Sequence, residues 1–259
     1  MIARFEPKTS GAALWSRRIA LFSLVLFVVS GLGHRRGLVD TFGFLWILLL
    51  IAVLALAALV LVALSFRRVW VRGDRGGGAA AVAALVALLV LAPFGVTAVR
   101  FFLYPQLSDI STDLVAPPSL AEAAKMRHGH MNPVRPIGRE AARLQIAAYP
   151  EITGRRYNAS PDDVLKAVDK VLAGKGWKIV SHPPLVDGER EYTLEAVAKT
   201  FLLGFASDVS IRLTDEGEST YVDMRSASRY GDDDFGDNAR RISSFLDALD
   251  KEMAAQASR

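Results

Sequence analysis

The residues with the greatest chemical capacity lie together between Arg225 and Ile242, in RSASRYGDDDFGDNARRI. Four arginines, four aspartates, two serines and an asparagine fall within these eighteen residues. Several chemistries fit that set. A helix N-terminus after a glycine-containing turn presents free N–H groups, and arginines beside it can clamp a phosphate or carboxylate. The candidate ligand-binding residues are Arg225, Ser226, Ser228, Arg229, Asp232, Asp234, Asn238 and Arg241. The aspartates oppose an anion there unless they orient the arginines. Asp232, Asp233, Asp234 and Asp237 offer the oxygens that Ca²⁺ or Mg²⁺ prefers, but no bidentate acid falls where a helix-loop-helix calcium loop needs its twelfth ligand. His128 and His130 flank Gly129 without a carboxylate at metal-binding spacing. A nucleophile–base pair would need Ser226 or Ser228 with His182, which precedes Pro183 and has no evident orienting acid. No metal or other cofactor is expected, and no enzyme is assigned. The alternative is a brace, in which the serines end a strand, Gly231 turns the chain, Asp237 caps a helix and Arg and Asp cross-pair. Brace and binding-site rim both remain open at this point.

The elements that carry the motif can be read from periodicity. Glu151–Asn158 has strand character. Ser160-Pro161-Asp162-Asp163 is a helix start, with Ser160 as N-cap and Pro161 at the first helical position. Val164, Leu165, Val168, Val171 and Leu172 follow at helical spacing, and Gly174 or Gly176 ends the helix. Trp177–Ser181 is a strand. Tyr192, Leu194, Ala196 and Ala198 alternate with Thr193, Glu195, Val197 and Lys199, Val209, Ile211 and Leu213 alternate in the same way, and Tyr221–Ser228 completes the series. Between two of these strands, FLLGF (Phe201–Phe205) reads as an apolar loop or bulge around Gly204, of a kind that is usually core, with contact to the bilayer or to an apolar ligand as the alternative. A last helix places Ile242, Phe245, Leu246 and Leu249 on one face. Strand, helix, four strands, helix predicts an α+β domain over 148–256, an antiparallel sheet with both helices on one face. That topology resembles the TATA-binding-protein-like or a short helix-grip fold, and the likeness carries no DNA-binding function with it.

The net charge of +4 suggests nucleic acid until it is divided along the chain. Residues 1–104 hold 11 Lys and Arg against 3 Asp and Glu, whereas residues 105–259 hold 20 against 24. The polar part is therefore mildly acidic, and nucleic acid is not an expected partner. The basic residues flank apolar runs at Ile19–Gly33, Thr41–Phe66 and Gly76–Val99. These predict spans over about 15–34, 41–66 and 77–100, in a bilayer core of about 30 Å. The first run is short unless the helix extends back through Ala12–Trp15, and it also has the pattern of a signal peptide. Arg4, Lys8, Arg17 and Arg18 precede it, and Arg67, Arg68, Arg72 and Arg75 separate the second and third runs. The positive-inside rule then gives a cytoplasmic N-terminus and an external C-terminal domain, periplasmic in a bacterium. No ionisable residue stands at mid-depth, which favours an anchor or assembly bundle over a transport path. Residues 105–147, with Pro105, Pro117, Pro118, Pro133 and Pro136, read as an extended connector with a short helical patch capped by Ser119.

Several local patterns coincide with one family: DISTDL (Asp109–Leu114) followed by Pro117-Pro118, Tyr149-Pro150, a helix ending before Trp177, GFASDVSIRL (Gly204–Leu213) and VDMRSASRYGDDDFGDNARRI from Val222. Together they resemble the domain-of-unknown-function 1499 family, in particular its alphaproteobacterial members, in which spans precede the domain. Members often carry an Asp-Asp pair after the Gly-Phe, where this chain has Ser207-Asp208. The resemblance implies no activity and carries over no catalytic residue. The functional expectation is a multi-pass inner-membrane protein whose periplasmic domain binds a small anionic ligand or an envelope protein, with the lipid bilayer as its other partner. A membrane-tethered hydrolase or transferase using the Arg/Asp motif, and a structural subunit of an envelope complex, are the alternatives.

Overall fold

The computed structural model describes residues 10–186 and 188–258. Arg4 and Lys8 lie outside the described residues. The chain forms two compact units, one comprising residues up to Val99 with Leu202–Gly204, the other Arg100–Phe201 and Phe205 onward.

The first unit is built from α1 (Gly11–Arg35), α2 (Thr41–Arg72) and α3 (Gly77–Leu103, whose last turn enters the second unit). All three are long and apolar enough to cross a membrane. The chain is read on that basis as a membrane protein. α1 starts at Gly11, so the backward extension through Ala12–Trp15 is present, and its 25 residues reach about 37 Å at the α-helical rise. α2 continues past Phe66 to Arg72 and stops where Gly73 takes a left-handed conformation, φ 68°. Ala13, Ser16, Ala20, Ser23 and Ser30 make a buried stripe of small side chains on α1. Small residues let helix backbones approach closely where lipid supplies no hydrophobic drive between helices. Ser16 and Ser23 donate to the carbonyls of Ala13 and Ala20 on their own helix, at 3.0 and 2.8 Å, so neither of these hydroxyl protons is left unsatisfied. Asp40 caps α2 by accepting from Gly43 N at 2.7 Å, and His34 contacts Thr41 Oγ1 at 2.9 Å while stacking on Phe44.

The second unit is an α+β domain, as expected. Its elements are β1 (Asp109–Ser111), α4 (Ala121–Met126), α5 (Arg139–Ala148), β2 (Arg155–Tyr157), α6 (Pro161–Lys175), β3 (Lys178–Ser181), β4 (Glu191–Lys199), β5 (Ala206–Asp215), β6 (Thr220–Ser228) and α7 (Asp237–Ala257). The sheet is antiparallel in the order β1-β6-β5-β4-β3. β2 pairs with the first part of β6, opposite Thr220–Val222, and β1 with the last part, opposite Arg225–Ala227. From β2 onward the order is the predicted strand, helix, four strands, helix. Residues 105–147 differ from the extended connector read from their prolines: they contain a sheet strand and two helices. The prolines fall between these elements rather than within them.

One face of the sheet carries the apolar core. Leu194, Ala196, Val209, Ile211, Leu213, Val222 and Met224 meet Val164, Val168 and Leu172 of α6 and Ile242, Phe245, Leu246 and Leu249 of α7. Ser160 caps α6 through Asp163 N, and Gly176 closes it at φ 64°, as its sequence predicts. Two other caps differ from expectation. Neither Ser119 nor its neighbour Leu120 caps α4 with a side chain; the carboxylate of Glu195 on β4 does so, accepting from Glu122 N and Ala123 N at 3.0 and 2.7 Å. Asp237 is the first residue of α7 rather than its cap; Gly236 precedes it at φ 76°, and Asp234 accepts from Gly236 N and Asn238 N at 2.8 and 2.7 Å. In both places a buried carboxylate outcompetes the nearest polar side chain in sequence. The FLLGF segment also departs from the core expectation: Phe201 is 91% exposed.

Trp177 stacks on Phe245 with ring centroids 5.6 Å apart, at the base of this core. Phe245→Ala is expected to cost roughly 3–5 kcal/mol of domain stability, measured by denaturant unfolding, and to shift Trp177 emission to the red.

Candidate functional site

The second face of the sheet is polar, and it is buried. β-strand alternation sends Glu195 of β4, Asp208, Ser210 and Arg212 of β5, and Asp223 and Arg225 of β6 to the side opposite the core. Glu195, Asp208, Ser210, Asp223 and Arg225 are each no more than 5% exposed. Buried charges persist only when paired and hydrogen-bonded, and the segment before α5 supplies several of the partners. Asp109 takes a bidentate pair from Arg225, with Nε and Nη2 donating at 3.0 and 2.6 Å. Asp208 receives Arg127 Nε at 2.8 Å and Arg229 Nη2 at 2.6 Å, one on each oxygen. Arg212 Nη2 donates to Asp113 and Asp223, both at 2.8 Å.

The candidate residues of the Arg225–Ile242 motif divide over this geometry. Arg225 and Arg229 lie in the ionic layer, each committed to a different carboxylate. Ser226, Ser228, Asn238 and Arg241 come together on the helix side. Ser226 Oγ donates to Asn238 Oδ1 at 2.8 Å, and Arg241 Nη1 donates to Ser226 Oγ at 3.0 Å and also to Asn238 Oδ1. Asn238 Nδ2 donates to Ser228 Oγ at 3.0 Å and to Ser108 O at 2.9 Å. Asp234 joins this group through the backbone of Asn238. Asp232 is exposed and stands apart, at the rim of a cavity of about 320 Å³ that also includes Ser228, Arg127 and Arg135. Asp237 pairs with Arg100 at 2.7 Å and Arg240 at 3.2 Å, while Asp233 Oδ1 accepts from Phe235 N. Asp233, Asp234 and Asp237 therefore face different donors, and Asp232 faces outward. Among the described residues no three His, Asp or Glu side chains converge as a metal set.

His182 has an orienting acid after all: Asp169 Oδ1 lies 2.9 Å from Nε2, and Tyr192 OH 2.9 Å from Nδ1. It follows the edge strand β3, whereas Ser226 and Ser228 are on β6, with β4 and β5 between. Neighbouring strands are about 4.8 Å apart, so three spacings, roughly 14 Å, separate β3 from the strand that carries the serines.

A larger cavity, of about 490 Å³, opens where two of the local patterns meet. Thr112–Val115 forms one wall, Gln145–Thr153 with Tyr149-Pro150 another, and Tyr221 and Asp223 of β6 complete it. Gln145 sets the distance between the walls. Its amide donates to Ser111 O at 2.6 Å and accepts from Ser111 N at 3.2 Å, as a neighbouring strand would. Thr112 is fixed to β6 by donating to Asp223 Oδ1 at 2.7 Å and accepting from Met224 N at 2.9 Å. Asp113 accepts from Val115 N and Ala116 N, both at 2.9 Å, as well as from Arg212. Burial works against the charge of Asp113, but the Ala116 N–H, Arg212 and the Val115 N–H together hold its carboxyl below the ordinary carboxylate range. The Tyr149 hydroxyl is buried without a hydrogen-bond partner, and burial, with the negative charge of Asp234 nearby, pushes it up to about 12. Tyr221 is held against the backbone: a Cβ on Gly154 would come within 2.6 Å of its ring.

A family model described as "Protein of unknown function (DUF1499)" matches residues 109–249, from the first residue of β1 into α7. The chain belongs to this family. The DUF1499 region thus includes β1, α4 and α5 together with the later sheet. A comparison with curated proteins found no match.

Motif density does not reveal Glu195, Arg212, Asp223 or Gln145, and it leaves Tyr149 and Asp208 as members of local patterns without a role. The available signal was charge on three successive strands at positions alternating with apolar ones, opposite an acidic and basic stretch at 109–127. Alternation alone reads those positions as solvent-facing.

Two outcomes follow for stability. Asp208→Ala leaves Arg127 and Arg229 buried without their carboxylate and should cost roughly 3–5 kcal/mol, more than Arg229→Ala, when the detergent-solubilised chain is unfolded thermally. Burial pushes Asp234 up to about 6, against the two N–H groups it accepts from and Arg241. Its folded form thus holds a proton more tightly than the unfolded chain, whose ordinary value is 3.8. This group's contribution is greatest below pH 4 and declines as pH rises to 6, by up to about 3 kcal/mol. The stability of the native chain relative to Asp234→Asn should fall across that window, and a constant difference would refute the assignment.

Proposed function

We propose that this chain is a bacterial inner-membrane protein, with its N-terminus in the cytoplasm and its DUF1499 domain in the periplasm, where the domain binds a small ligand or a segment of an envelope partner. The observation that carries the binding reading is the 490 Å³ cavity. Its volume is within the usual range for small-molecule sites, and it combines tyrosine and aliphatic walls with few polar groups. The Arg225–Arg241 corner acts in this reading as a brace that fixes α7 on the sheet, supported by the engagement of Arg225, Arg229 and Arg241 in internal hydrogen bonds. The distance between His182 and the motif serines favours binding over hydrolysis. The sidedness rests on Arg17 and Arg18 before the apolar stretch of α1, and on Arg67, Arg68, Arg72 and Arg75 between the spans α2 and α3.

Alkaline phosphatase fused after residue 258 should be active in a bacterial host, and fused after Gly73 it should be inactive. An inactive C-terminal fusion, with an active one at Gly73, would invert the topology.

A further inference from the structure

We infer that the 490 Å³ cavity takes a primary ammonium group carried on a short apolar chain; the inference rests on the binding role proposed for that cavity. Its lining contains two carboxylates, Asp113 and Asp223, and neither lysine nor arginine. Both carboxylates are held by the same guanidinium, Arg212, which lies outside the lining, so two negative charges meet one positive. Their acceptor capacity is not exhausted. A carboxylate has about four lone-pair sites. Asp113 accepts from Val115 N, Ala116 N and Arg212, and Asp223 from Thr112 Oγ1 and Arg212.

The remaining sites suit a donor-only group, and an ammonium has three N–H donors and no acceptor. An anion would meet two carboxylates and no lining cation. The other walls determine what the ammonium is attached to. Tyr149, Pro150 and Ile152 give an aromatic and aliphatic surface, and Val115 and Ile146, 97% and 60% exposed, form an apolar rim. A cation beside the Tyr149 ring is favoured further by its quadrupole, whereas the Tyr221 ring already carries the Arg156 guanidinium, 5.3 Å from its centroid. Two sources have this chemistry, a free alkylamine and a lysine side chain presented by a polypeptide.

The test is calorimetric titration of the full chain in zwitterionic-lipid nanodiscs with n-butylammonium, butanoate and n-butanol at neutral pH, against empty discs. The chain should bind butylammonium and not butanoate. Val115→Lys, at an almost fully exposed position that does not threaten the fold, should weaken butylammonium by about tenfold through charge repulsion at the rim. Equal or tighter binding of butanoate or butanol overturns the ammonium assignment but leaves a ligand cavity. No binding of any probe overturns both, and undiminished butylammonium binding by Val115→Lys overturns the assignment to this cavity. With the assignment upheld, N-acetyl-lysine methylamide separates the sources: tighter binding than butylammonium identifies a lysine side chain, weaker binding a free amine.

Discussion

A sheet buried on both faces, one of them ionic, is the constraint from which most of this domain follows. The apolar face is an ordinary core. The other face could not be covered by apolar residues without stranding Glu195, Asp208, Asp223 and Arg225 away from water. Each therefore requires a partner of opposite charge, or a helix terminus, at a fixed position. The segment from Asp109 to Arg135 supplies them through Asp109, Asp113, Arg127, the Arg135 carbonyl and the first N–H groups of α4. Pairing of this kind fixes geometry more than it adds net stability. Its effect is to hold an otherwise proline-rich path in one place on the sheet.

The cavity is a by-product of that arrangement. Arg212 cannot pair with both Asp113 and Asp223 unless the loop after β1 bends back over β6, and that bend makes one wall. Gln145 sets the opposite wall by acting as a strand mimic for Ser111. The polar motif at Arg225–Ile242 has a related cause. A strand end, a tight turn and a helix start coincide there, and each leaves backbone or side-chain groups needing partners. Asn238, fully buried, joins Ser108, Ser226, Ser228 and Arg241, so one amide ties the entry to β1, the exit of β6 and the first turn of α7.

Much of this was legible in the sequence wherever a local rule and the tertiary structure agree. The three apolar helices, the α6 caps at Ser160 and Gly176, and the alternating strands β4, β5 and β6 are cases of that kind. Elements that exist only through distant partners were not legible. β1 is three residues long and is a strand because β6 is beside it; alone, DIS in a proline-rich stretch has no strand signature. Ser119 carries the standard capping pattern, but Glu195, more than seventy positions away, reaches the helix end instead. Asp169 and His182 pair across the junction of α6 and β3, a contact that depends on how that helix lies on the sheet. The candidate site divides in the same way. The residue types around Arg225 were visible, but which side of the strand each faces, and which carboxylate meets which arginine, depends on register.

The shared edge of β6 has a consequence for how the chain is made. Two short strands from far upstream, β1 opposite Arg225–Ala227 and β2 opposite Thr220–Val222, dock end to end on a strand that is synthesised late. Neither can be a strand before β6 exists, and pairings of such long sequence separation form slowly because the loop must close first. The ionic layer has the same dependence, since Arg225 and Arg229 come from the same late stretch. Asp109 is therefore a solvated, unpaired acid from its own synthesis until Arg225, more than a hundred residues later, has been made.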